Sequence, residues 1–318
     1  MSIQEPSLLE RAIARTIAFF DTLDYPLTDS EIAKFLFLPS SEQSFYLRDI
    51  RAAISSSGFL QRVIAVCDGL YALVGRAGLS TQRRHCAVHA YRKYRRAKRV
   101  IALLSHVPFV RMICVCNTLG LNVARDESDI DLFVVAARSH LWLSRLICTG
   151  IAHILGLRPR REQERDTICL SFYVSEEALD LSSLQLPGWT PDLYLAYWIT
   201  WCVPMYDANT YSRFFEANAW IKEFLPNVIP YEPIPRRRVV LSPVSQFVKN
   251  ACETLLSWRV IEHVARWIQY RLFPPAIRNH MNRGGGVVVT DSILKFHTAD
   301  RRGEIKKIFL ERCRQLKI

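Results

Sequence analysis

Asp129 and Asp131 are separated by one residue and lead directly into Leu132-Phe133-Val134-Val135, an apolar run of strand-forming residues. Side chains alternate along a strand, so both carboxylates fall on one face, about 6.6 to 6.8 Å apart along the backbone, while Ile130, Leu132 and Val134 turn the other way into a core. A strand that commits two same-face positions to acids forgoes burial there and brings like charges together. A divalent cation with a preference for oxygen, magnesium or manganese, relieves both penalties. Such ions can activate a hydroxyl and stabilise a leaving pyrophosphate in an in-line displacement.

Three neighbouring elements must position that pair. Val110 to Cys116 reads as a buried strand, interrupted near its start by Arg111, and delivers the chain into a polar loop from Asn117 to Ser128. Ser139 to Leu157 has the apolar pattern of a crossover helix buried on a sheet. Arg158, Arg160, Arg161 and Arg165 follow as a solvated loop at the sheet edge. Thr167 to Val174 reads as the next strand, with Thr167, Cys169, Ser171 and Tyr173 on its polar face and no carboxylate among them. Asp166 has the wrong parity for that face, and Glu177 lies past the strand.

Ser128-Asp129-Ile130-Asp131-Leu132, after a strand and a polar spacer, resembles the DNA polymerase beta-like nucleotidyltransferase superfamily, in which a Gly-Ser pair precedes Asp-x-Asp on a strand. The resemblance is most specific over Cys114 to Val135 and extends to about Val174. It implies that Asp129 and Asp131 are catalytic and bind magnesium or manganese. It also places Asn117, Thr118 and Ser128 beside the phosphates of a nucleoside triphosphate, whose nucleoside monophosphate passes to a hydroxyl acceptor. Two departures accompany the match. Asn117-Thr118 stands where Gly-Ser belongs, although asparagine tolerates the left-handed backbone that glycine supplies and threonine keeps a hydroxyl. The third acid usual in the family's transferases is missing from the neighbouring strand, so a catalytically impaired, nucleotide-sensing DNA-binding regulator is the alternative function.

The N-terminal segment predicts three helices and a hairpin. Leu8 to Leu23 carries an apolar face at helical spacing, Thr28 and Glu31 form a capping box for a second helix, and Phe45 to Ser56 follows as a third after the loop at Pro39-Ser40-Ser41. Gly58 is read as that helix's C-terminus. Phe59 to Val66 and Leu70 to Val74 flank Asp68-Gly69 as strands of a hairpin. This order resembles a winged helix-turn-helix domain, which implies DNA contact through Arg48 and Arg51, with a packing or protein-interaction module as the alternative. Between Arg83 and Arg99 lies the densest positive run, with no acid inside it to pair Arg83, Arg84, Arg92, Lys93, Arg95, Arg96, Lys98 or Arg99. It reads equally as a phosphate-holding patch and as a solvated helix joining two domains.

Beyond Leu186-Pro187-Gly188-Trp189 the pattern is mainly helical, over Leu193 to Trp201, Tyr211 to Phe224 and Val244 to Leu272. Its tryptophans, Trp258 and Trp267 among them, read as helix packing rather than base stacking. Pro226, Pro230, Pro233 and Pro235 lead into Arg236-Arg237-Arg238 as a surface connector. Gly284-Gly285-Gly286 reads as a turn before a strand, and Lys295, His297, Asp300, Arg301 and Arg302 as a solvated helix start, with contact to a substrate phosphate as the alternative.

The expected fold class is therefore α+β: a winged helix over 1–78, a nucleotidyltransferase-like mixed sheet with helices over 79–185, and an α-helical region over 186–318. A length of 318 residues suits two or three domains, and 50% hydrophobic with 23% charged residues excludes collagen-like and disordered classes. The 42 basic against 30 acidic residues leave +12, which favours anionic partners: the nucleoside triphosphate, nucleic acid, or an acidic membrane surface. Nine scattered cysteines without metal-binding spacing read as reduced, buried thiols. No secretory or transit signal is expected at the start, and the cytoplasm is the default location. Leu141 to Leu157, interrupted by Ser144, Arg145 and His153, is too short and too polar for a transmembrane segment.

Overall fold

The structure, a computed structural model, describes residues 5–38, 45–158, 164–188, 191–232 and 234–318. Pro39-Ser40-Ser41, Arg160, Arg161, Trp189 and Pro233, which entered the sequence reading, lie outside the described residues.

The N-terminal part comprises α1 (Leu8–Asp21), α2 (Asp29–Lys34), α3 (Leu47–Ser56), α4 (Gly58–Val63), β1 (Ile64–Cys67) and β2 (Leu70–Leu73). Thr28 caps α2 through the expected reciprocal box, its backbone N–H donating to Glu31 at 2.8 Å. The hairpin turns at Asp68 and Gly69, both with positive φ. One element differs from the pattern reading. Ser57 accepts the Leu60 N–H at 3.1 Å and starts a new helix, so Gly58 opens α4 rather than closing α3, and the strand begins only at Ile64.

α5 (Leu79–Leu104) connects to the central sheet. β3 (Val110–Val115), α6 (Asn117–Gly120), β4 (Ile130–Ala136), α7 (Leu141–Ile154) and β5 (Ile168–Ser175) follow. Next come α8 (Leu193–Thr200), β6 (Val203–Asp207), α9 (Tyr211–Ala217), α10 (Pro243–Leu256), α11 (Arg259–Leu272), α12 (Pro275–His280), β7 (Val287–Val289), β8 (Ile293–Phe296) and α13 (Arg302–Leu316). The sheet is mixed, in the order β6-β3-β4-β5-β8-β7, and only β4 and β5 are parallel, with α7 as their crossover. The helical reading beyond 186 is thus incomplete: that stretch supplies β6, β7 and β8. Short strands of three to five residues, one holding Pro204, leave almost no alternation to read.

Two apolar cores sandwich the sheet. Phe133, Val135, Phe172 and Val174 face the first, together with residues of α1, α8 and α13. Ile130, Leu132, Val134 and Tyr173 face the second, under α5, α7 and α11. The first core runs without a break from the N-terminal helices to α13. The Phe19 ring meets Tyr197 at 4.6 Å and Phe309 at 5.8 Å, and the Tyr197 hydroxyl donates to the Phe35 carbonyl at 2.8 Å. Gly120 lies where the α6 turn meets the end of α8, and a Cβ there would strike the Trp201 carbonyl oxygen. Gly120→Ala is therefore expected to cost about 1–3 kcal/mol, as overpacking against backbone does. Thermal denaturation should show a melting temperature lowered by several degrees, and an unchanged melting curve would refute this reading of the glycine.

Candidate active site

β3 and β4 are antiparallel and β4 and β5 parallel, so the end of β3 and the starts of β4 and β5 share one edge of the sheet. Asn117, Asp129, Asp131 and Cys169 stand at that edge. Asp129 immediately precedes β4, and Asp131 lies directly across from Cys169 in the β4–β5 register. One ligand atom from each of Asp129, Asp131 and Cys169 falls within 4.8 Å of the others, and all three residues are half-buried.

Burial and the neighbouring Asp131 charge push the Asp129 carboxyl up to about 7. Burial raises Asp131 as well, against hydrogen bonds from Asn117 and Cys169. Among the described residues no lysine, arginine or histidine comes within ion-pairing distance of either acid. Two carboxylates plus water and phosphate oxygens suit magnesium or manganese. Cys169 adds no hard donor, because burial and the Asp131 charge hold its thiol protonated.

Asn117 has φ +55°, the left-handed conformation asparagine tolerates. Its side chain does what glycine could not. Oδ1 accepts the Trp198 indole N–H at 2.8 Å, which leaves the amide group to donate towards Asp131. Thr118 is exposed, and the Ser128 hydroxyl donates to the Arg125 carbonyl at 3.0 Å. Asn117, Thr118 and Ser128 all border a cavity of about 450 Å³ together with Tyr25, Arg83, Arg125 and Tyr194. Asp129 and Asp131 are not in its wall, but Asp129 follows Ser128 and Asp131 is hydrogen-bonded to Asn117, both of which are. A second cavity of about 200 Å³ shares Asn117, Tyr194 and Arg301 with the first and is bounded by Lys295 and His297.

The third strand corrects the expected polar face. β5 gains one residue relative to β4 between Cys169 and Phe172. Cys169 and Ser171 keep the site's side, their side chains 3.2 Å apart, whereas Tyr173 crosses into the opposite core. Asp166 and Glu177, rejected on parity and position, are paired instead with Lys93 at 2.8 Å and Arg138 at 3.2 Å.

The first half of the basic run is paired, whereas Arg95 and Arg99 are exposed without an ion pair among the described residues. Arg83 meets Glu31 at 2.7 Å, Arg84 meets Asp68 at 2.6 Å and Arg92 meets Asp126 at 2.5 Å, all partners from distant sequence. Lys93 is the member that sequence analysis did not single out. Fully buried, its ammonium donates to the carbonyls of Ser128 at 2.5 Å and Asp126 at 3.1 Å as well as to Asp166. It thereby ties down the loop entering Asp129. Lys93→Met removes three hydrogen bonds at once, leaving Asp166 with Arg92 at 3.2 Å and the Ser128 carbonyl with the Asp166 N–H at 3.1 Å, and should cost about 3–5 kcal/mol. Thermal denaturation should show a drop on the order of 10 °C. Asp166→Asn, which removes the only charged group among the three acceptors and leaves the buried ammonium without a counter-charge, should cost a comparable amount.

Elsewhere the expected binding residues are partnered. Arg51 is held by Asp29 at 2.6 Å and Arg48 lies 3.4 Å from Asp49. The cluster read as a solvated helix start is half-buried: Arg302 bridges Asp300 at 2.6 Å and Asp192 at 2.8 Å, which commits it to the fold. Burial and Arg302 lower Lys295 to about 8, and burial with Lys295 lowers His297 to about 4, so the imidazole is neutral where it meets Ser171 at 2.9 Å. Comparison of the chain with family models, curated proteins and solved structures found no match.

Proposed function

We propose that this chain is a divalent-cation-dependent nucleotidyltransferase that moves a nucleoside monophosphate from a nucleoside triphosphate to a hydroxyl acceptor. The observation that carries the reading is the pair itself: two half-buried carboxylates at one sheet edge, within 4.8 Å, with no cationic side chain in ion-pairing distance among the described residues and only the field of Lys93, itself paired with Asp166, acting on Asp129. Asp129 and Asp131 would hold magnesium or manganese, which supplies charge neutralisation at the phosphates when bound. Asn117 orients Asp131, and Lys93 fixes the loop before Asp129. Thr118 and Ser128 face the larger cavity, where exposed Arg125 and Arg301 bring positive charge for the phosphates. In this reading β3, β4 and β5 form the core of a nucleotidyltransferase-like sheet, and α1 to β2 form a winged helix.

The second reading, a nucleotide-sensing DNA-binding regulator without catalysis, is favoured by one specific observation. Cys169, a protonated thiol, occupies the cross-strand position where a third carboxylate would act as base or ligand. Incubation with each labelled nucleoside triphosphate and magnesium or manganese separates the two. Transfer of label, lost in both Asp129→Ala and Asp131→Ala, supports the enzyme. Saturable nucleotide binding with no turnover under any condition supports the sensor.

A further inference from the structure

The outward faces of α10 and α11 carry many of the exposed large hydrophobic side chains of the described residues. Leu256, Ile261 and Ala265 pack into the same core under the sheet, so both helices lie on that side of it, and each has its other side exposed. Their sequences hold two acids, and both point inward. Glu253 accepts the Phe109 N–H and the Arg111 guanidinium, each at 2.7 Å, and Glu262 accepts the N–H groups of Trp142 at 2.7 Å and Leu143 at 2.9 Å. Lys249 also turns in, donating to the Ser105 and Val110 carbonyls.

What remains outside is apolar and basic. Phe247, Leu255, Trp258, Val260, Trp267 and Leu272 are exposed, Trp258 by 70% and Trp267 by 57%. The helix-packing reading of these two tryptophans is thereby overturned: each lies on the solvent side of its helix layer. Arg259, His263 and Arg271 are exposed among them, with the Arg271 guanidinium 4.3 Å from the Trp267 ring. Two acids from outside the helices, Asp291 and Glu177, border one cavity with Arg259 and His263 and are paired with Arg266 at 2.9 Å and Arg138 at 3.2 Å.

We propose that this face seats the protein on the surface of a bilayer containing anionic lipid. Indoles and aliphatic side chains projecting from helices, flanked by arginine and with the neighbouring acids paired, match an interface that offers acyl chains below and phosphates above. Each helix has 14 residues, a contact about 21 Å long. No described helix is long and apolar enough to cross a membrane, so the contact lies in the interface plane. A second copy of the chain is the poorer occupant, because it would set Arg259 and Arg271 against their equivalents with no acid between them. The formal charge of +12 adds long-range attraction to the same surface.

The test uses the full chain with vesicles of phosphatidylcholine alone or mixed with phosphatidylglycerol, read by co-sedimentation and tryptophan emission. The expected result is binding to the mixed vesicles, a blue shift on binding and weakening by salt. Trp258→Ser with Trp267→Ser should lower partitioning by at least roughly tenfold. Arg259→Glu with Arg271→Glu should lower it by roughly thirtyfold or more on mixed vesicles. Circular dichroism and melting temperature of both variants should match the parent, since these side chains leave the core untouched. Absence of binding to mixed vesicles, or equal binding by the variants, overturns the proposal. So does a stable dimer of the parent chain that the tryptophan variant dissociates, because the face would then belong to a second copy.

Discussion

Asp131→Asn is expected to reduce nucleotidyl transfer roughly a thousandfold or more while leaving the metal-free protein as stable as the parent or more so. A bound cation contributes several kcal/mol of charge stabilisation to phosphoryl-type transition states, and each ~1.4 kcal/mol is tenfold in rate. Asparagine keeps the shape of the aspartate and can still meet the Asn117 amide, but it surrenders the charge that would hold the ion. In the free protein that charge is a liability, since burial raises the Asp131 pKa and the acid sits against Asp129 without a cationic neighbour. Activity and stability therefore move in opposite directions at one residue. A structural role would lower both. Label-transfer rates and melting curves of the same preparations check the pair of effects, and a destabilised asparagine variant would sink the account of the site.

The carboxylate pair was legible because it obeys a period of two: Asp129 and Asp131 against Ile130, Leu132 and Val134, and the structure puts those three in the core opposite the acids. The Asn117 backbone was legible too, since few residues other than glycine adopt φ +55°. Three features were hidden for separate physical reasons. The Tyr173 reversal comes from one extra residue in β5, and a bulge has no composition of its own. The acids that pair Arg83, Arg84, Arg92 and Lys93 are Glu31, Asp68, Asp126 and Asp166, contacts set by tertiary structure and invisible inside a local window. Trp258 and Trp267 show the converse limit. Their spacing looks like a packing pattern, yet α10 and α11 carry apolar residues on both sides, and periodicity cannot say which side meets the core.

Asp129 should make the stability of the metal-free chain fall as pH rises from about 4 to about 7. In the unfolded chain its carboxyl loses the proton near 3.8, whereas in the folded chain burial and the Asp131 charge hold it to about 7. Across that window the folded state binds more protons than the unfolded state, so raising the pH favours unfolding. Below about 4 both states are protonated and nothing is lost; above about 7 both are ionised and the full penalty is present. A divalent cation must displace the same proton, so its apparent affinity should climb about tenfold per pH unit through the upper part of the window and level off above 7. Magnesium should consequently raise the melting temperature more at pH 8 than at pH 6. Asp129→Asn removes the titrating group, and subtracting its melting profile from the parent's cancels the titrations that do not interact with it, leaving that of the Asp129–Asp131 pair. The difference should slope downward with pH without magnesium and vanish or reverse with it. A slope that persists in the asparagine variant would place the titration elsewhere and remove the electrostatic reason for a cation at this edge of the sheet.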